Sequence, residues 1–242
     1  MPLRRTLFIS DLHLDASRPE ATARFEKFLA ETAPGSDALY ILGDLFEYWV
    51  GDDGLSLQFP HLIAEELKGA ASKLPVRFMH GNRDFLVANE FSRATGVELV
   101  ADPMKVDLYG RRTLLMHGDT LCTDDTEYQA FRAQVRDPAW QRAALARPLN
   151  ERVAMAQGLR ADSEDAKAGK SMQIMDVSAR AVEEAFAASG CDLLIHGHTH
   201  RPGRHVHRVD GRECERWVLP DWYGRGGYLE MSAAGIRAVG LP

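Results

Sequence analysis

Residues 7–13 read Leu-Phe-Ile-Ser-Asp-Leu-His, an apolar run that ends in a polar cluster. The same figure recurs four times along the chain. Leu39-Tyr40-Ile41-Leu42 runs into Gly43-Asp44, and Val76-Arg77-Phe78-Met79 into His80-Gly81-Asn82-Arg83-Asp84. Leu114-Leu115-Met116 precedes His117-Gly118-Asp119, and Leu193-Leu194-Ile195 precedes His196-Gly197-His198-Thr199-His200. Short apolar runs closed by turn residues predict strands buried on both faces. Each such strand delivers Asp, Asn or His to its carboxyl end, where open α/β sheets place their sites.

Between the first two runs, Ser17 followed by Glu20 has the spacing of a capping box, and Ala21, Phe25, Phe28 and Leu29 form one apolar stripe. A second helix is expected over about 61–71, before Pro75. Alternating strands and helices predict a parallel-rich α/β core. Residues from about 124 to 188 differ: they are rich in Ala, Arg, Gln and Glu and show no strand pattern. They read as helices inserted between the fourth and fifth site-forming strands, broken at Pro138, Pro148 and the polar stretch 161–171. After His200 the pattern returns to β, with strands expected at 215–219 and 227–231. The 242 residues thus suit a single domain carrying this helical insertion.

A net charge of −6 creates no positive field for nucleic acid, which is not an expected partner. Cys122, Cys191 and Cys214 are odd in number and widely spaced, so they supply no disulfide framework and suit a reducing compartment. No apolar stretch approaches the ~20 residues that a membrane-spanning helix needs.

The strand ends bring together Asp11, His13, Asp44, Asn82, His117, His198 and His200. Carboxylate, amide oxygen and imidazole without thiolate favour Mn2+, Fe2+ or Zn2+. Seven ligands exceed what one ion with an open position takes from a protein, and suit two ions bridged by a carboxylate. Glycines 43, 81, 118 and 197 adjoin the ligands and let the backbone turn sharply off each strand. His80 and His196 are expected to bond within their own loops, and His61, His205 and His207 to face solvent. Asp84 is expected to orient a ligand rather than bind metal. Asp119 fits either an orienting or a turn-forming part. Phe46, Tyr48 and Trp49 fit the core or an apolar ligand chamber.

These motifs resemble the calcineurin-like metallophosphoesterases, whose Asp-x-His, Gly-Asp, Gly-Asn-(His/Arg)-Asp, His-Gly and Gly-His-x-His elements appear in order over residues 11–200. The longer stretches 43–53, 117–125 and 196–202 are similar to the branch of that family that cleaves UDP-2,3-diacylglucosamine in lipid A synthesis. The resemblance implies a layered α/β/β/α sandwich with an inserted helical lid. It implies two Mn2+ per chain, one held by Asp11, His13, Asp44 and His200. The other would be held by Asp44, Asn82, His117 and His198, so that Asp44 bridges. Many relatives place His near the leaving group where this chain has Arg83, a side chain shaped to grip phosphate oxygens. Asn82, Arg83, His117 and His198 are the catalytic residues implied. Substrate contacts carried over by position fall on Asn82, Arg83, Asp125, Ser163, Lys167, Lys170 and His198, with Lys167 standing where enterobacterial relatives have Asn.

The implied reaction is attack of metal-activated water on the α-phosphorus of a lipid-linked UDP-sugar, giving UMP and 2,3-diacylglucosamine 1-phosphate. Phe131, Trp140, Leu145, Leu149, Met155 and Leu159 would line a chamber for acyl chains. The implied setting is cytoplasmic, a monomer held peripherally on the inner membrane. Two rivals stand beside it: a phosphodiesterase or nucleotide-sugar diphosphatase with a soluble substrate, and a scaffold that has lost its chemistry. An apolar chamber inside the insertion separates the first, and a complete ligand set speaks against the second.

Overall fold

The computed structural model describes residues 4–168 and 174–241, with the side chains of residues 161–168 outside that description. The three N-terminal site strands, β1 (Arg5–Ile9), β2 (Ala38–Leu42) and β3 (Val76–Met79), are parallel neighbours. Their sheet is completed by β4 (Glu98–Val100) at one edge and by the antiparallel pair β10 (Gly227–Ser232) and β11 (Gly235–Gly240) at the other. The other two site strands, β6 (Arg111–Leu115) and β7 (Leu193–His196), are parallel to each other in a second sheet. There they lie between β5 (Met104–Leu108) on one side and β9 (Arg212–Val218) and β8 (Gly203–Val209) on the other. The five strand ends therefore converge from two sheets.

The period-2 alternation of the strands explains the layering. Leu7, Ile9, Leu39, Ile41, Val76 and Phe78 point to one face of the first sheet and pack with Phe25, Phe28, Ile63 and Leu67. These come from α1 (Pro19–Lys27), the π turn that extends it (Phe28–Thr32), and α2 (Gln58–Ala71). Phe8, Tyr40, Leu42 and Met79 point the other way and meet Leu115, Leu193 and Ile195 of the second sheet. The far face of that sheet, through Leu114 and Leu194, is covered by Val182 and Phe186 of α7 (Ala179–Ser189). The order helix, sheet, sheet, helix is the expected sandwich.

Several local expectations are corrected. The Ser17–Glu20 capping box does not form, because the Ser17 hydroxyl donates to Asp15 Oδ1 (2.5 Å). The helix starts instead at Pro19, whose fixed φ suits a first helical turn. The stripe Ala21, Phe25, Phe28 and Leu29 is buried as expected. The second helix begins three residues early, at Gln58. In the insertion, α4 (Thr126–Arg136) and α5 (Pro138–Leu145) part at Pro138. Helix α6 (Leu149–Ala168) runs through most of the polar stretch expected to break it, since that stretch lacks Pro and Gly before 169. Helix α3 (Asn89–Thr95) and strands β4, β5, β8 and β11 were not legible as elements, being short or solvent-facing at sheet edges. Residues 205 and 207 lie in edge strand β8; His205 is exposed, whereas His207 is half-buried against the Phe186 ring and Arg216.

Candidate metal centre

All seven expected ligands come together where the two sheets meet. His13 Nε2 lies 3.3 Å from His200 Nε2, and His200 Nε2 lies 3.4 Å from Asp11 Oδ1. The Asp44 carboxylate sits between two histidines, with Oδ2 3.7 Å from His13 Nε2 and Oδ1 3.8 Å from His117 Nε2. On the far side Asn82 Oδ1 lies 3.0 Å from His117 Nε2 and 2.9 Å from His198 Nδ1. Two ligand groups, Asp11/His13/His200 and Asp11/Asp44/His117, each have their atoms within 4.8 Å of one another.

The donor set fits divalent cations. His117 Nδ1 donates to the Leu42 carbonyl (2.9 Å), so in the neutral ring Nε2 is a lone pair. That lone pair faces the amide oxygen of Asn82 (3.0 Å), a pair of acceptors that a divalent cation between them would satisfy. Burial opposes protonation of His117, yet Asp44, Asp119 and Asp11 around it push its pKa up to about 9. The surrounding carboxylates thus favour positive charge at His117. His198 is pushed the other way, down to about 4, by burial and by His117 beside it.

The backbone is bent to make this convergence. Asp11, His13, Asp44, His198 and His200 all adopt left-handed φ values, between 49° and 67°. Each costs about 1 kcal/mol in an L-residue. The glycines serve two distinct ends, where the sequence suggested one. Gly43 and Gly118 take positive φ (87° and 115°). Gly81 and Gly197 do not; a Cβ at Gly81 would overlap the Asp44 carboxylate, and one at Gly197 would overlap Ser10 and Asp11.

Four carboxylates hold the ligands in place. Fully buried Asp84 accepts from the amides of Gly81 (2.8 Å) and Leu45 (2.7 Å), locking the Asn82 loop to the Asp44 loop. It orients through backbone and not through a histidine ring. Asp11 Oδ2 accepts from the His198 amide (2.9 Å) and the Ser10 hydroxyl (2.5 Å). Glu47, which spacing alone did not single out, lies 3.1 Å from His13 Nδ1 and pairs on its other side with Arg160 of α6. Asp119 accepts from Tyr128 Oη (2.8 Å) and Arg132 Nε (2.6 Å) of α4. Burial opposes its ionisation, but His117, His198 and Arg132 keep its pKa below the usual carboxylate range. Each half of the centre is therefore tied to one helix of the insertion. Tyr128, Arg132 and Arg160 were also missed; Tyr128 and Arg132, four apart on α4, are the only sequence sign of a shared face.

The insertion and the core enclose a chamber of about 610 Å3 that opens onto His13, Asp44, Asn82 and His198. Trp49, Phe85, Phe131, Trp140, Met155 and Leu159 line it; of the expected wall, Leu145 and Leu149 do not. Tyr48 and Trp49 face the chamber, while Phe46 is core. Arg83 reaches the same space, and its buried Nε has no protein partner among the described residues. Its amide donates to Asp44 Oδ1 (2.8 Å). Asp125 borders the chamber and also caps α4, accepting from the Tyr128 amide (3.1 Å). Ser163 and Lys167 lie on α6 with side chains outside the description, and Lys170 lies outside the described residues. His80 and His196 are structural, as expected. His80 Nε2 donates to the Val87 carbonyl (2.7 Å), and His196 Nδ1 to that of Gly197 (2.8 Å).

Residues 4–202 match the family described as calcineurin-like phosphoesterase. The chain is 51% identical over 238 residues to UDP-2,3-diacylglucosamine hydrolase of Stenotrophomonas maltophilia (strain K279a), covering 95% of this chain and 96% of that protein. It is 52% identical over 239 residues to the enzyme of the same name from Xanthomonas campestris pv. campestris (strain B100), covering 96% of each. Among solved structures, one described as a novel archaeal phosphodiesterase superposes with a TM-score of 0.50 at 13% identity, covering 98% of this chain and 99% of that one, a likeness of fold. With this match over most of the chain, the protein belongs to the calcineurin-like phosphoesterase family.

Proposed function

We propose that the protein hydrolyses the diphosphate bond of UDP-2,3-diacylglucosamine at the α-phosphorus, yielding UMP and 2,3-diacylglucosamine 1-phosphate. The observation that carries this reading is the apolar chamber opening directly onto the ligand cluster. Ribose or a free sugar gains little from a wall of Trp49, Phe85, Phe131, Trp140, Met155 and Leu159, whereas each buried acyl CH2 is worth ~0.8 kcal/mol. A soluble nucleotide sugar would leave that wall unused. Relatives about half identical in sequence carry the name UDP-2,3-diacylglucosamine hydrolase.

In this reading Asp11, His13, Asp44 and His200 hold one Mn2+, and Asp44, Asn82, His117 and His198 a second. Two such cations supply activation of water and neutralisation of phosphate charge. Arg83, which reaches the chamber beside Asn82, grips the leaving phosphate, while His198 and Asn82 contact the phosphoryl oxygens. Asp125, Ser163, Lys167 and Lys170 complete the polar contacts to the sugar phosphate. Residues of about 124–188 act as a lid on a single catalytic domain. No helix among the described residues is long and apolar enough to cross a membrane. Exposed Leu145 and Ile174, outside the chamber wall, support peripheral contact of a monomer with the cytoplasmic face of the inner membrane.

Incubation of the purified chain with UDP-2,3-diacylglucosamine and Mn2+ tests the reading by product analysis. UMP together with the diacylated sugar phosphate is expected. UDP with free sugar, or no turnover, refutes it.

A further inference from the structure

Beside the apolar chamber lies a second cleft of about 440 Å3, of different chemistry. It shares Glu47, Arg160 and His200 with the chamber, so the two open from a common rim at the metal centre. Its remaining wall is polar or aromatic: Asp15, Ser17, Arg18 and Tyr223. Nothing in that wall suits an acyl chain.

The wall is braced by contacts within the protein. Arg18 donates to three main-chain carbonyls, those of Leu12 (3.1 Å), His13 (2.9 Å) and Trp222 (2.9 Å). Its guanidinium lies 4.4 Å from the centre of the Tyr223 ring. That ring is also stacked at 5.0 Å on His13, yet Tyr223 remains half exposed. The Asp15 carboxylate is held by the amide (2.9 Å) and hydroxyl (2.5 Å) of Ser17, which fixes Oδ1 and leaves Oδ2 for a further donor. A fixed carboxylate beside a braced aromatic ring matches a nucleoside, with the acid accepting from ribose hydroxyls and the ring meeting the base. Preorganisation removes the ordering cost that binding would otherwise carry.

The substrate proposed above has two unlike halves joined by a diphosphate. If the diphosphate lies on the ligand cluster and the acylated sugar fills the chamber, the nucleoside must leave the cluster by another side. We propose that the cleft walled by Asp15, Arg18 and Tyr223 is the subsite for the uridine half, a pyrimidine nucleoside 5′-monophosphate. The inference rests on the diphosphatase reading for its ligand. It rests on the cleft alone for its place.

The test is calorimetric binding of UMP and of 2′-deoxy-UMP to the full Mn2+-loaded chain and to its D15N and Y223A variants. UMP should bind the unaltered chain more tightly than the deoxynucleotide. D15N should erase that preference, and Y223A should weaken both nucleotides tenfold or more. Mn2+ affinity and inhibition by the diacyl sugar phosphate should stay within twofold in D15N, which touches no ligand residue. Unchanged UMP affinity and unchanged 2′-hydroxyl preference in D15N overturn the subsite, even if Y223A binds weakly through loss of its His13 contact. A chain that binds UMP in this pattern but does not cleave UDP-2,3-diacylglucosamine overturns the diphosphatase reading and leaves the subsite standing.

Discussion

At the residue scale, Asp44 and Arg83 are neighbours with separable parts. The two oxygens of Asp44 face His13 and His117, one in each ligand group, so Asp44→Ala should cost the chain both cations and its turnover. Metal analysis by mass spectrometry checks this, and near-normal activity would contradict a bridged pair. Arg83 contributes its amide to Asp44 but its side chain to the chamber. Arg83→Ala should retain metal and lose turnover by 10²-fold or so, the scale of losing one charge-stabilising group. Gly197 is a third kind of residue. The methyl group of Gly197→Ala has nowhere to go except into Ser10 and Asp11, which are themselves buried. Metal affinity should fall in this variant while cooperative thermal unfolding persists, because the clash is confined to one loop.

At the element scale, the layers make different demands. Helix α7 covers the outer face of the second sheet almost entirely through Val182 and Phe186, both fully buried. Phe186→Ala should destabilise the protein by roughly 3–5 kcal/mol, read as a lower denaturation midpoint, with metal binding in the surviving folded fraction unaffected. Helices α4 and α6 have another task. The Arg132–Asp119 and Arg160–Glu47 pairs tie them to the His117 and His13 sides of the centre. Arg136 Nη2 adds a bond to the Gly81 carbonyl (2.8 Å) in the Asn82 loop. The insertion is thus anchored by charge at the centre and by apolar side chains around the chamber.

At the scale of the whole molecule, stability against acid is set partly far from the centre. Glu215 of β9 is gripped by Arg204 of β8 (2.6 Å), by Trp217 Nε1 (3.1 Å) and by Arg111 of β6 (3.3 Å), and so links three strands. The Arg204 bond leads the causes that lower its pKa to about 2, against the opposing effect of burial. The folded state therefore holds this proton less tightly than the unfolded chain. Its contribution is complete above the ordinary Glu pKa and is lost as pH falls towards 2. With Arg204 half in solvent, the gain is on the order of 1 kcal/mol. Glu215→Gln should flatten the pH dependence of unfolding between about 4.5 and 2 and leave the neutral-pH metal content unchanged. An unaltered acid profile by circular dichroism would count against the three-strand link.

The linear chain alone determined the reaction class. Buried strands need continuous apolar runs, and ligands need particular atoms, so both are written in residue type and order. Helix α1 was legible through its apolar stripe and α2 through its place before Pro75, and the ligands through their places after Ile9, Leu42, Met79, Met116 and Ile195. The division of five strands between two sheets was not legible, because a strand buried on both faces reads alike in one sheet or two. Nor were the left-handed ligand residues, since Asp and His adopt that conformation only when the surrounding structure holds them there. Glu47, Tyr128, Arg132 and Tyr223 gain their parts only from partners remote in sequence or across a loop, and beyond the four-residue step from Tyr128 to Arg132 no local spacing marks them. Tertiary structure alone decided that one rim at the metal centre serves two clefts, one apolar and one polar, because that contrast arises from side chains brought together from separate parts of the chain.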